Sequence, residues 1–271
     1  MADSWRQPRR ILLAVFGALT VVFLVAPAIL IVPMGFTSAK ILSFPPEGFS
    51  LRWYEKMLTD PQWSTGFINS AQVAVLAAIL ATVLGTLAAL GMVRGRFPGK
   101  SLANGLILSP LIVPVIVVSI GMFGYFVRLN QKEAGIFFTG SLLGLVLAHT
   151  ALAIPFVVVS VGTSLRVMDR NLELAAMNLG ADQRRTFWRI TFPMILPGVV
   201  AGALFAFIAS WDEVVVAIFL TTTRFRTLPV EMWEQVRQVV DPTVAAVSTT
   251  LLVFTTILLA LVFLTRRQAP T

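Results

Sequence analysis

The sequence predicts an all-α integral membrane protein with six transmembrane helices and both termini on the cytoplasmic side. Three observations carry this. Of 271 residues, 57% are hydrophobic and only 13% charged, with mean hydropathy +0.85. A soluble domain carries about 25% charged residues, so this chain cannot cover itself in water. Six apolar runs reach the about 20 residues that cross a bilayer as a helix. Basic residues gather beside alternate ends of those runs. A membrane barrel is excluded, because alternating ten-residue strand segments are absent. Backbone facing lipid must satisfy its own hydrogen bonds, which leaves helices.

The runs are 11–34, 68–93, 102–127, 141–162, 194–219 and 244–265. The length suits one transmembrane domain over 1–271. The first run follows "MADSWRQPRR" and is longer than the about 7–15 apolar residues of a signal peptide, so it reads as a retained helix. The third contains "SPLIVPV" (109–115). Two prolines four apart free two carbonyls on one side, which suits a bent helix lining a cavity. The fourth holds His149, the only histidine. A hydrogen-bonded packing residue and a proton relay are both open for it. Gly85, Gly91, Gly121, Gly124, Gly144 and Pro155 in the spans suit close helix packing and bends.

Charge sets the orientation. The N-terminal tail, the 94–100 turn, the 163–193 loop and the C-terminal tail carry 13 Lys/Arg, against 8 in the other connections. The 13 lie in short segments near helix ends, where the positive-inside rule applies. The 163–193 loop is therefore expected in the cytoplasm. The net charge of +8 does not imply nucleic acid, because the basic residues flank apolar runs rather than line one polar face. There is no cysteine, so a disulfide frame and a Cys-ligated metal are excluded. No second histidine offers a metal site.

Between the fourth and fifth spans lies "DRNLELAAMNLGADQRRTFWRITFP" (169–193). Asp169 or Asn171 can cap a helix start. Leu172, Ala175, Ala176 and Leu179 follow at the spacing of one helix face. Gly180 suits the left-handed position that ends a helix. A second helical stretch begins near Asp182, and Pro193 and Pro197 start the next span. The small apolar face fits a groove of another protein. The alternative is a helix lying in the lipid interface, anchored by Arg and Trp.

This segment resembles the "EAA" loop of ATP-binding cassette importer permeases. Ala175, Ala176, Gly180, Ile190 and Pro193 match that pattern, Phe192 stands where Leu is usual, and Leu174 stands where Glu is usual. Glu173 is one residue early, an offset of about 100° around a helix. Either Glu173 reaches the ATPase differently, or docking uses Leu174 and the apolar face. Residues 49–70 and 210–253 also resemble permeases of the polyamine (spermidine/putrescine) importer group. The resemblance implies a type I importer permease in the bacterial cytoplasmic (inner) membrane. It implies a second, paralogous permease subunit, two ATPase subunits gripping the loops, and an external solute-binding protein. Leu172, Glu173, Leu174, Ala175, Ala176, Leu179 and Gly180 are then the ATPase-coupling residues. ATP and Mg are expected on the ATPase chains, with no cofactor on this one and no enzymatic activity of its own. No phosphate-cradling G-x-x-x-x-G-K-[ST] motif occurs in the chain.

Asp212 and Glu213, in "IASWDEVVVAIF" (208–219), interrupt the fifth apolar run. Acids inside a span point to function by default. Counted from 194, Asp212 lies roughly 27 Å along a helix, near the outer side. One reading is a cation site, with Trp211 or a nearby Phe adding a cation–π contact. The other is that the acids pair with Arg224 or Arg226, or cap a broken helix. Trp53, Tyr54 and Trp63 are expected in an external interfacial belt. The resemblance and the acids together point to import of a polyamine or related amine-bearing solute. A stand-alone secondary transporter is the alternative, though the internal repeats usual there are not evident. A non-transporting scaffold would need neither acid.

Overall fold

The computed structural model of the protein describes residues 6–132, 137–238 and 241–266. In chain order the helices are α1 (Arg6–Met34), α2 (Arg52–Thr59), α3 (Pro61–Arg94), α4 (Lys100–Leu108), α5 (Val115–Lys132) and α6 (Leu142–Val167). Then follow α7 (Asn171–Asn178), α8 (Gln183–Thr186), α9 (Phe192–Trp211), α10 (Val215–Leu220), α11 (Leu228–Gln238) and α12 (Thr243–Arg266). Five stretches among the described residues are long and apolar enough to cross a membrane: Ile11–Met34, Pro61–Arg94, Leu142–Val167, Gln183–Trp211 and Thr243–Ala260. A sixth is a pair, Lys100–Leu111 and Val115–Gln131, bent by 102°. The six expected apolar elements are therefore present, one of them folded sharply on itself.

The bend falls where the two prolines lie. Pro110 has no N–H for the Leu106 carbonyl, which in a regular helix is its acceptor. The Ser109 hydroxyl donates to that carbonyl instead, at 2.8 Å. A 3-10 turn, Ser109–Leu111, then ends the first arm. Pro114 stands just before α5, where a missing N–H costs nothing, and its carbonyl accepts from Val117 at 2.9 Å.

The chain divides into two compact units, Met1–Pro61 with Glu234–Leu261 and Gln62–Trp233 with Val262–Thr271. In the second unit α6 is clamped by α3 and α9. Its core includes Ala81, Ala89, Val157, Val161 and Ile195. Glycines set the approach. A Cβ on Gly85 would lie 2.7 Å from Val157 Cβ, and one on Gly202 would lie 3.0 Å from Val157 Cα. Gly198, four residues before Gly202, faces the Ser160 carbonyl, 2.9 Å from where its Cβ would be. This is the small-xxx-small packing of membrane helices.

The fifth apolar run starts earlier than predicted. Helix runs on from Gln183 through a π-turn, Phe187–Thr191, into α9. Pro193 and Pro197 thus lie inside a continuous helix rather than at its start. The Phe192 N–H donates to the Phe187 carbonyl, five residues back. A widened turn of this kind absorbs the bond that Pro193 cannot make. At its other end the run is not one helix to 219, because α9 stops at Trp211 and α10 begins at Val215.

In the first unit the aromatic belt is corrected. Trp53 is 8% exposed, and its indole N–H donates to the Thr37 carbonyl at 2.9 Å. Trp63, in the second unit, is 3% exposed. Both rings are covered by the chain's own residues rather than left facing lipid. Lys56 pairs with Asp241 at 2.5 Å. Burial raises the Asp241 carboxyl, but hydrogen bonds from Lys56 and Thr243 outweigh it and hold the group below the usual carboxylate range.

Candidate functional site: the α7 segment and the α9–α10 break

The α7 segment is built by its caps. The Asp169 carboxylate accepts from the Asn171 N–H at 2.9 Å, so Asp169 rather than Asn171 supplies the starting acceptor. At the far end the Gly180 N–H donates to the Met177 carbonyl and the Ala181 N–H to the Ala176 carbonyl, both at 3.0 Å. That pair of bonds is a Schellman ending. It needs a left-handed residue, and Gly180 has φ +86°. Asp182 then caps α8, accepting from the Arg185 N–H at 2.7 Å.

Seven residues were expected to work here, and the structure sorts them into two sides. Leu172, Leu174, Ala175, Leu179 and Gly180 are exposed, and Ala176 is half-buried. Leu179, at the tip, is 90% exposed. Glu173 points the other way and is 5% exposed. Its carboxylate accepts from Arg94 Nη1, with 2.5 Å to Oε2, and from the Thr191 hydroxyl. Glu173 is therefore held inside the chain and is not displayed beside Leu174. The 100° offset noted in the sequence turns it from the outer face to the inner one. A pocket of about 280 Å³ opens next to it, lined by Arg170, Thr186, Phe187 and others.

Arg94 and Thr191 were not singled out from sequence. Arg94 counted only as one orienting charge among several, and Thr191 is an ordinary residue of the loop. Nothing in a local pattern links positions 79 residues apart. The one available signal was Glu173 itself, an acid followed by the apolar residues Leu174, Ala175 and Ala176.

The second place is the break in the fifth run. α9 closes with the Asp212 N–H donating to the Ile208 carbonyl at 3.1 Å. Glu213 Oε1 accepts from the Val216 N–H at 2.9 Å, in the first turn of α10. Of the readings left open for the acids, Glu213 takes the helix cap. Arg226 lies 3.6 Å from Glu231 instead, so it does not pair with either acid. Asp212 is exposed. Trp211 is buried, edge-on to Phe67 at 5.4 Å and stacked on Phe207 at 5.6 Å. One face of its ring is thus engaged by Phe207. Behind the break, His149 Nδ1 lies 2.8 Å from the Ser210 hydroxyl, tethering α6 to α9. This is the packing geometry for His149. Among the described residues no group of three His, Cys, Asp or Glu side chains could hold a metal ion.

The comparisons with known proteins agree with this architecture. Residues 81–269 match the family described as binding-protein-dependent transport system inner membrane component. The putrescine transport system permease protein PotI of Escherichia coli (strain K12) is 35% identical over 91% of this chain and 86% of its own length. The spermidine/putrescine transport system permease protein PotC of Haemophilus influenzae is 31% identical, covering 91% of this chain and 93% of that protein. A chain in the crystal structure of a bacterial ABC transporter involved in the import of the acidic polysaccharide alginate shares the fold, with TM-score 0.70 at 15% identity. That match covers 100% of this chain and 99% of the other. With the family match spanning most of the sequence and its relatives aligned nearly end to end, the chain belongs, as a permease subunit, to the family of binding-protein-dependent transport system inner membrane components.

Proposed function

We propose that this permease passes a small amine-bearing solute of the polyamine class across the bacterial cytoplasmic membrane. Coupling to ATP hydrolysis occurs through the 169–193 loop. The observation that carries the coupling is the outer side of α7. Leu172, Ala175 and Leu179 stay uncovered by the chain's own residues and Ala176 is half-buried, on a helix closed at both ends by its own hydrogen bonds. A small-faced rigid helix suits a protein groove. In this reading the loop is cytoplasmic and seats in one of two ATPase subunits, which carry ATP and Mg. A second, paralogous permease completes the pathway, and an external solute-binding protein delivers the cargo. The substrate class is supported by the relatives' transport of putrescine and spermidine and by the exposed carboxylate of Asp212.

Asp212 and Glu213 are expected to differ on amide substitution. A charge-assisted hydrogen bond contributes about 1.5–3 kcal/mol. Asp212→Asn should therefore raise the KM for putrescine uptake by roughly ten- to a hundredfold. Glu213→Gln keeps an oxygen for the Val216 N–H and should change KM little. The measurement is uptake into proteoliposomes holding the complete importer with ATP. Unchanged KM in both variants removes the acids from the pathway. Uptake by the isolated chain without ATP would remove the ATP-driven reading altogether.

A further inference from the structure

Glu173 is the buried side chain of α7. A short helix held to a membrane bundle would ordinarily bury Leu or Ile. Here the anchor is a carboxylate, and its donors come from two different spans. Arg94 is the last residue of α3. Its Nη1 donates to Glu173, and its Nη2 points at Met168 Sδ, 3.8 Å away at the end of α6. Thr191, 1% exposed, is the last residue of the π-turn that leads into α9. Its hydroxyl donates to the same Glu173 oxygen that Arg94 reaches.

We infer that Arg94, Glu173 and Thr191 form a strut that turns displacement of α7 into movement of α3 and α9. These are positioning residues, and the inference rests on the docking of α7 proposed above. Packing alone would not serve as well. Apolar contacts are non-directional and let a short helix slide or roll. A buried ion pair holds one geometry, because leaving either charge unpaired is costly. It adds little net stability over apolar residues of the same volume, so its use here is directional. The π-turn beside Thr191 supplies the compliance. A widened turn inside a helix is a frequent site of functional adjustment. A push on the exposed face of α7 therefore reaches α3 through the guanidinium and α9 through the hydroxyl.

The chain has no native cysteine, which makes a reversible test direct. The complete importer carries Arg94→Cys together with Glu173→Cys, and ATP hydrolysed per putrescine imported is measured before and after a short bifunctional thiol reagent bridges the pair. The unbridged form should assemble and hydrolyse ATP, with at least about fivefold more ATP spent per solute. Bridging should return that ratio to within about twofold of the unsubstituted importer. An unchanged ratio before bridging, or no recovery after it, overturns the strut. Should the double variant not assemble, Thr191→Val serves instead, since it removes one hydroxyl at nearly constant volume. It should raise the ratio by about twofold or more, and an unchanged ratio overturns the α9 arm of the strut. Cross-linking from Leu179→Cys to the ATPase subunit tests docking separately, so loss of docking and loss of the strut are told apart.

Discussion

Ala175→Trp is expected to stop transport by the assembled importer while ATP hydrolysis continues. Ala175 is on the exposed side of α7, away from Glu173. Indole in place of a methyl overfills any groove shaped for this helix. Overpacking costs about 1–3 kcal/mol, equivalent to about a 5- to 150-fold loss of the docked state. Gly180→Val reaches the same result by another route. Its φ of +86° suits glycine, and a β-branched residue there breaks the Schellman ending that positions Leu179. Uptake and ATP hydrolysis measured side by side in proteoliposomes decide the matter. Normal transport by both variants would show that α7 does not dock through this face. Insertion and folding should be preserved in each, because neither side chain meets the body of the chain.

Gly202→Leu is expected to lower the stability of the bundle. A Cβ there would lie 3.0 Å from Val157 Cα and 3.3 Å from Val157 Cγ1, so α9 must move away from α6. Backbone in the way cannot rotate aside as a flexible side chain can. The cost is about 1–3 kcal/mol, read as a lower thermal unfolding midpoint in detergent. Gly91→Leu is the control, since a Cβ at Gly91 meets nothing within 4 Å. Equal midpoints for the two variants would contradict the close α6–α9 packing. The effect should also weaken the His149–Ser210 tether, which spans the same pair of helices.

Most of the helical plan was legible in the residues. The proline pair at 110 and 114 announced a bent third element, and the bend of 102° lies there. The spacing of Leu172, Ala175, Ala176 and Leu179 announced α7, and Gly180 ended it as expected. The fifth run was harder to read. The apolar residues on both sides of Asp212 and Glu213 read as one span over 194–219, yet the helix breaks at Asp212–Val214. The reason is local: Glu213 offers its carboxylate to the Val216 N–H and starts a new turn. Trp53 and Trp63 misled in the opposite direction. Aromatic rings near an interface satisfy lipid and protein equally well, and only the neighbouring backbone decides which.

The sequence by itself determined that this chain lives in a bilayer, how many apolar elements it has, and where its short loop helix starts and stops. Those properties are local. Hydropathy, proline's missing N–H and glycine's freedom at positive φ act within a few residues of where they are written. The tertiary structure alone decided what Glu173 does. On its own helix it is one acid among apolar neighbours, available to any partner. It is taken by Arg94 and Thr191, because the ends of α3 and the π-turn converge on the inner side of α7. Residues 79 positions apart meet only after the spans have packed, and a buried carboxylate must be paired once they do.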